Sequence, residues 1–534
     1  MRLEAAPATV TLRGTPAAPG LAAGRLVRLA APARRPRRPG TPAEERASFG
    51  SALEHDRATL AGLIEAAADE SEAGILEFQL AMLEDSSLTD PVFAAIAAGA
   101  AAHDAWRQVL DAQVADFAAS DDGYFRGRAA DIADLRERLL DGLCGSAEAP
   151  IASGSIIIAD DLAPSRFLAA DWSGGGLVLR RGSATSHVAI LARARGVPMI
   201  VGVGGVRLED HREALLDADT GLLILDPDAP ARARFAGRRA ADQAARAEAA
   251  TWLDRPAVTA GGERIQVMIN IAGPDELAAL DPRHCDGIGL VRTEFLFHGR
   301  DRLPGEDEQY QFYRRILEWA GDRPVTIRTL DAGGDKPVAG LTRDGEANPF
   351  LGVRGVRLSL RHHEVFRLQL RALARSAVHG HLKVMVPMVT LPAELAQCRS
   401  LLAAAVEELA GEGQAAAQPP LGMMVEVPAA ALSLDEFAAD FFSIGSNDLI
   451  QYLNAASRDE PELTALAQPS PALWRLLREI AAHGRRAQRE VSLCGDLGGD
   501  PRHVGALLDC GLRALSASPS AIAGLKAAIA RHGA

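Results

Sequence analysis

Cysteine is scarce in this chain, with five among 534 residues. Cys144, Cys285, Cys398, Cys494 and Cys510 are odd in number, widely spaced, and form no CxxC pair. That excludes a disulfide framework and a thiolate zinc site, and reads as reduced cytosolic thiols. Aromatic residues are also few, at 4%, while alanine is abundant, a balance that suits many helices. No apolar run reaches the roughly 18 residues that a membrane-spanning helix needs. The opening MRLEAAPATVTLRG lacks the apolar stretch of a secretory leader. Positive charge is in deficit too, with a formal net charge of -13. A soluble cytoplasmic protein is therefore expected, with no nucleic-acid partner and no direct membrane insertion. The one basic cluster, Arg34-Arg35-Pro36-Arg37-Arg38, sits among prolines and reads as a solvated loop.

The remaining composition is that of ordinary globular protein, and the length implies roughly two to four domains. Residues 14–28 read as a turn at Pro19-Gly20 followed by a strand. From 42 to 143 the pattern is helical, with helices expected over Ala43–Ala68, Ser71–Glu84, Leu88–Gly99, Ala102–Ala119 and Arg128–Leu140. Turns are expected at Asp85-Ser86-Ser87 and Ser120-Asp121-Asp122-Gly123. Strands return at Ser155–Ala159, Gly176–Leu179, Met199–Val201 and Leu222–Leu225. Ala229–Trp252 is polar around most of its circumference and reads as an exposed linker helix at a domain boundary.

Beyond residue 260, short apolar runs alternate with helical stretches. Eight strands are expected: Ile265–Asn270, Gly287–Val291, Val325–Leu330, Lys383–Pro387, Gly422–Val427, Phe441–Ile444, Val491–Cys494 and Leu512–Ser516. That count suggests a (β/α)8 barrel, with a doubly wound sheet as the alternative. A barrel would put reactive residues at the C-terminal strand ends. Arg292, Glu294, Arg328, Asp331, Lys336, Arg354, Glu426, Asn447, Asp448, Cys494 and Asp496 all fall there. Arginine forks match carboxylate and phosphate oxygens. Glu426 and Asp448 are hard oxygen ligands suited to Mg²⁺. The substrate implied is a small, doubly anionic molecule with a phosphate and a carboxylate.

A second candidate lies at Gly182–Pro198. Its first residues are glycine, serine and threonine. Val188, Leu191 and Ala192 then recur at helical spacing, and Gly196 and Pro198 end the run. A helix is expected from near Ser186, with His187 in its first turn, where free N–H groups and the helix dipole favour a phosphate. The alternative is a capped helix start with an incidental histidine.

The run TSHVAILARARGVPMIVG resembles the phosphohistidine segment of phosphoenolpyruvate-utilising enzymes. The resemblance extends from about residue 14 to about residue 522 and is strongest to enzyme I of the bacterial phosphoenolpyruvate–sugar phosphotransferase system. GIGLVRTEFLF, RTLDAGGDK, NPFLGVRGVR, VEVPAA, SIGSNDLIQY and CGDLGGD resemble that family's phosphoenolpyruvate-binding barrel. LEFQLAMLED and YFRGRAADIADLRERLL resemble its carrier-docking helices.

The resemblance implies an α/β multidomain fold. A phosphohistidine swivelling α/β domain would cover 1–28 and 145–228, with an inserted all-α, HPr-binding bundle at 29–144. A linker helix at 229–254 would lead into a C-terminal (β/α)8 TIM-like barrel at 255–534. It implies a phosphoenolpyruvate–protein phosphotransferase with His187 phosphorylated and Cys494 as proton donor. Arg292, Arg328, Asn447, Asp448 and Arg458 would bind phosphoenolpyruvate, with Arg354 and Lys336 near its phosphate. Glu426 and Asp448 would hold Mg²⁺, and the carrier HPr and a homodimer partner through the barrel would be the protein contacts.

Departures from the pattern are small: Ala332, Ser446 and Asp496 stand where isoleucine, threonine and glutamate are usual. The chain ends soon after the eighth strand, so a weaker dimer is expected. Pyruvate, phosphate dikinase and phosphoenolpyruvate synthase need an ATP-binding domain, for which there is no room here. A nitrogen-type regulatory relay would add an N-terminal sensor domain. A non-catalytic carrier-binding scaffold would show eroded reacting positions, and none is eroded.

Overall fold

A computed structural model describes the chain except residues 1–8, 30–38, 66–69, 120–122, 146–150, 183–185, 205–211, 279, 298–301, 335, 337, 339, 344–345, 347, 458–462, 464–465 and 534. It divides into two units, Met1–Ala241 and Asp242–Ala534.

The first unit contains strands β1 (Val10–Arg13), β2 (Thr15–Ala18), β3 (Leu21–Arg28), β4 (Ile156–Ala159), β5 (Gly176–Leu179), β6 (Met199–Val201), β7 (Glu213–Asp217) and β8 (Leu222–Leu225). They form one sheet in the order β1-β8-β7-β3-β4-β5-β6-β2. Strands β3 to β6 run parallel, and the flanking pairs are antiparallel. β1 and β2 lie at opposite edges of this order, yet only Gly14 separates them. One residue spans about 3.5 Å, so the two edges must meet and the sheet rolls on itself. Gly14 donates its N–H to Gly221 O at 2.9 Å, and a Cβ there would fall 2.7 Å from Val201 O. No side chain fits at that junction.

Period-two alternation sorts the strands into two faces. Ile156 and Ile158 join Val178, Ile200 and Leu216 in one cluster. Ile157 and Ala159 join a second cluster that also holds Phe49, Leu60, Trp106 and Val188. The helical insertion therefore shares its core with the outer sheet face. It comprises α1 (Pro42–Glu65), α2 (Glu70–Glu84), α3 (Ser86–Ala97), α4 (Ala102–Ala119) and α5 (Gly123–Cys144), all between β3 and β4. Then follow α6 (Pro164–Leu168), α7 (His187–Ala194) and α8 (Ala229–Ala250). Polar groups also tie the insertion down. Asp134 accepts bonds from Ser165 Oγ at 2.8 Å and Gln79 Nε2 at 3.1 Å, and Arg138 bonds Asp56 at 2.6 Å.

Some expectations are corrected here. Ser86 and Ser87 are helical, because the Asp85 side chain caps α3 by accepting from Ser87 N at 2.7 Å. Of the turn expected at 120–123, residues 120–122 lie outside the described set and Gly123 opens α5. Strands β1, β2 and β7 were not anticipated. β1 and β2 are four-residue edge strands, and β7 is a five-residue strand between β3 and β8. The division between units falls inside α8, where a linker helix was expected.

The second unit is a closed barrel of β9 (Gln266–Ile271), β10 (Ile288–Val291), β11 (Val325–Arg328), β12 (Leu382–Val386), β13 (Leu421–Val425), β14 (Phe441–Ile444), β15 (Glu490–Leu493) and β16 (Ala514–Ala517). Every adjacent pair is parallel. All eight expected strands are present within two residues at each end, and the doubly wound alternative is excluded by closure. Its helices are α9 (Glu306–Ala320), α10 (Val356–Arg361), α11 (His363–Ser376), α12 (Pro392–Gly411), α13 (Pro428–Ala431), α14 (Ser446–Asn454), α15 (Pro471–Ala487), α16 (Val504–Asp509) and α17 (Ile522–Arg531). α15 illustrates why they form. Ser470 caps its N-terminus, Pro471 starts it, and Leu473, Leu476, Leu477 and Ile480 make one buried stripe.

Alternation again sets the layers. Val291, Ile327, Val384, Val386, Met423, Val425, Ile444 and Leu493 belong to the large core of the unit. Leu290, Met385, Met424, Phe441 and Cys494 form a separate small cluster, which is the barrel interior.

The units have separate cores, which carries a prediction. A fragment of about residues 1–250 should fold alone. A fragment of that length with no cooperative thermal transition of its own would refute this division.

Candidate active site

The same alternation that fills the barrel decides which polar side chains face its mouth. Val291, Ile327, Val425 and Leu493 face the helices, so the residue after each points inward. Those residues are Arg292, Arg328, Glu426 and Cys494. Because all strands are parallel, all four lie at the same end of the barrel.

A continuous charged chain crosses that end. Arg328 Nη2 donates to Glu294 Oε1 at 2.9 Å, and its Nη1 lies 3.1 Å from Asp331 Oδ2. Asp331 also accepts from Lys336 Nζ at 3.1 Å and Arg354 Nη2 at 3.1 Å. Arg354 Nη1 continues to Asp448 Oδ1 at 3.2 Å and to Tyr452 Oη at 3.3 Å. Tyr452 in turn donates to Phe350 O, pinning the loop that carries Arg354. Arg354 and Asp331 are wholly buried.

Burial opposes charge on Arg328 and Arg354, yet their carboxylate neighbours overcome it and hold both above the ordinary guanidinium range. Burial likewise opposes the Asp331 charge, and Lys336, Arg328 and Arg354 hold it well below the carboxylate range. Arg328 Nε and Arg354 Nε are buried with no hydrogen-bond partner among the described residues. Such donors fit a further anion.

Glu426 differs. Burial first, then Asp448 and Asp331, push its carboxyl well above the usual range despite Arg328 and Arg354. Its Oε1 accepts the Met388 N–H at 2.6 Å, and Met388 adopts a left-handed φ of 57° to aim that donor. Positive charge is thus short around Glu426, while Asp448 has Arg354 beside it. A pair of hard carboxylates, one of them short of charge, fits a divalent cation. Among the described residues, no group of three or more His, Cys, Asp or Glu side chains gathers to hold a metal.

Asn447, on the first turn of α14, pairs with Asp496: Nδ2 donates to Asp496 Oδ2 at 2.9 Å, and Asp496 N donates to Asn447 Oδ1 at 2.9 Å. Gly495 precedes Asp496 because a Cβ there would lie 1.9 Å from Ser446 Oγ. Cys494 is buried in the barrel interior, its Sγ 3.6 Å from Ile444 O. Burial pushes its thiol up to about 11, although the Ser443 hydrogen bond and Arg328 draw it down. Arg292 is partly exposed at the same rim, close enough to act on that thiol.

Arg328, Lys336, Arg354 and Asp448 therefore meet in one network, with Glu426, Cys494 and Arg292 within electrostatic reach. Arg458 lies outside the described residues. Glu294, Asp331 and Tyr452 were not among the expected ligands. The available signal was an acid beside each arginine in VRTEF and RTLD.

In the other unit, α7 starts at His187. Ser186 caps it, its Oγ accepting from Ala189 N at 3.3 Å, as the sequence implied. The His187 side chain and residues 183–185 lie outside the described set.

Three family models match. They are described as the PEP-binding domain of PEP-utilising enzymes, over residues 246–533, their N-terminal region, over 13–128, and their mobile domain, over 151–221. A Bacillus sp. protein named phosphoenolpyruvate-protein phosphotransferase is 37% identical, the alignment covering 96% of this chain and 91% of the relative. One of the same name from Geobacillus stearothermophilus is 39% identical over 85% of this chain and 80% of the relative. A multiphosphoryl transfer protein from Rhodobacter capsulatus is 37% identical over 87% of this chain and 56% of its own length.

Proposed function

The chain belongs to the PEP-utilising enzyme family, and on that premise we propose that it is a phosphoenolpyruvate–protein phosphotransferase of the enzyme I type. The observation that carries the reading is the chain of ion pairs through Arg328, Asp331, Lys336, Arg354 and Asp448 at the barrel mouth, buried except at Lys336. It offers several cationic donors to one small, highly charged anion.

In this reading Arg292, Arg328, Asn447, Asp448 and Arg458 bind phosphoenolpyruvate, and Arg354 and Lys336 face its phosphate. Mg²⁺ held by Glu426 and Asp448 would supply positive charge to the phosphoryl oxygens. A ring nitrogen of His187 attacks phosphorus, and the bond from phosphorus to the enolate oxygen breaks. Cys494 gives its proton to the methylene carbon, and pyruvate leaves. His187 then passes the phosphoryl group to a histidine of HPr docked on the helical insertion, the first step of sugar uptake. His187 must serve two partners in turn, so the swivelling domain spans 1–28 and 145–228 and α8 provides the joint. The barrel at 255–534 also carries the dimer contact.

Incubation with radiolabelled phosphoenolpyruvate and Mg²⁺, with and without carrier protein, tests the reading. Label should reach the chain alone, and reach the carrier only through it. An unlabelled chain overturns the proposal.

The carboxylate pair makes a separate prediction. Glu426→Ala or Asp448→Ala should lower turnover by about a hundredfold or more, because substrate oxygens lose charge compensation. Excess chelator should abolish wild-type turnover. Full activity in chelator would show the metal assignment wrong.

A further inference from the structure

We propose that Asp331 is a positioning residue that gathers Arg328, Arg354 and Lys336 into one phosphate-binding cradle. It would thereby set the preference for a phosphorylated ligand over an unphosphorylated one. This inference rests on reading the site as a phosphoenolpyruvate site.

Three cations from separate places converge on this one carboxylate. Arg328 is the last residue of β11, Lys336 lies in the following loop, and Arg354 directly precedes the turn into α10. Each comes within 3.1 Å of Asp331 Oδ2. Unscreened, three cations at such spacing would repel one another apart. Asp331 is itself held from behind. Its N–H donates to Glu294 Oε1 at 3.1 Å, and the neighbouring Leu330 N–H donates to Gln369 Oε1 at 3.0 Å. All of these groups except Lys336 are buried.

Asp331 carries the same sign as the ligand, and its carboxylate is already occupied by three cations. It therefore acts through them and not by contact. Among the described residues its arginines retain unpartnered Nε donors, so the carboxylate aligns the cations without exhausting them. A cluster that only stabilised the barrel rim would affect every ligand alike. A cradle built for phosphate would not.

The test compares binding of phosphoenolpyruvate and of oxalate to the full chain in Mg²⁺ by calorimetry. Oxalate offers carboxylate oxygens and no phosphorus. Asp331→Asn keeps the shape and removes the charge. Its dissociation constant for phosphoenolpyruvate should rise about tenfold or more. Its affinity for oxalate should stay at the wild-type value. Should that variant not fold, Glu294→Gln, which weakens the support of the Asp331 N–H and of Arg328, must show the same split. Equal loss for both ligands, or no loss for either, overturns the inference while the function stands. Failure of the wild-type chain to bind phosphoenolpyruvate overturns the function, and this inference with it.

Discussion

His187→Ala is expected to fold like the parent chain and to take up no phosphate from phosphoenolpyruvate. The residue opens α7, a helix capped by Ser186, so unpaired backbone N–H groups and the positive end of the dipole surround its backbone. A phosphoryl group carried there gains the stabilisation that helix N-termini give to anions. Alanine is a better helix former than histidine, by roughly half a kcal/mol, so the helix should survive. Thermal melting should be close to wild type, and phosphoenolpyruvate should still bind, since the site proposed for it lies in a separate unit. The measurement is acid-labile radiolabel on the purified variant. Any such label remaining would move the phosphorylation site elsewhere.

Cys494→Ala is expected to separate two half-reactions. The thiol sits among Leu290, Met385, Met424 and Phe441 in the barrel interior. Burial raises it to about 11, so it is a neutral thiol at physiological pH. A neutral thiol can donate a proton and is a poor nucleophile. Removing it should cost about 1 kcal/mol of packing, too little to unfold the unit. Phosphate exchange between His187 and the carrier should continue at the wild-type rate. Pyruvate release should fall by about a hundredfold or more, because the enolate stays bound and takes its phosphate back.

The pH dependence follows from the direction of the shift. A raised pKa keeps the donor form intact as pH rises, and it is lost only on approaching about 11. An ordinary thiol would lose it near about 8.5. Pyruvate release that weakened with a midpoint near the lower value would contradict the buried donor. Wild-type pyruvate release from Cys494→Ala would return the residue to a packing role.

Much of this was written in local patterns. The eight barrel strands announced themselves as short apolar runs bounded by turns, and polar words followed five of them. α7 was legible from Ser186, its periodic Val188, Leu191 and Ala192, and the terminating Gly196. β2 and β7 were not legible, because they are only four and five residues long and pair with β6 and β3, which lie far away in the chain. Asp85 was read as a turn residue when it is a helix cap, since both roles use the same side-chain acceptor.

The residue sequence by itself determined the eight short strands, the helical insertion and the polar residues at the strand ends, and left ring closure against a doubly wound sheet open, because periodicity is a local property. Only the tertiary structure decided what those residues do to one another. Asp331 looked like one acid among many until the loop after β11 folded back and set Lys336 and Arg354 beside it and Arg328. Glu426 and Asp448 read as equivalent ligands, yet Asp448 has Arg354 beside it while Glu426 is left short of positive charge. Charge pairing depends on distances between side chains far apart in the chain, and those are set only when the strands close into a ring.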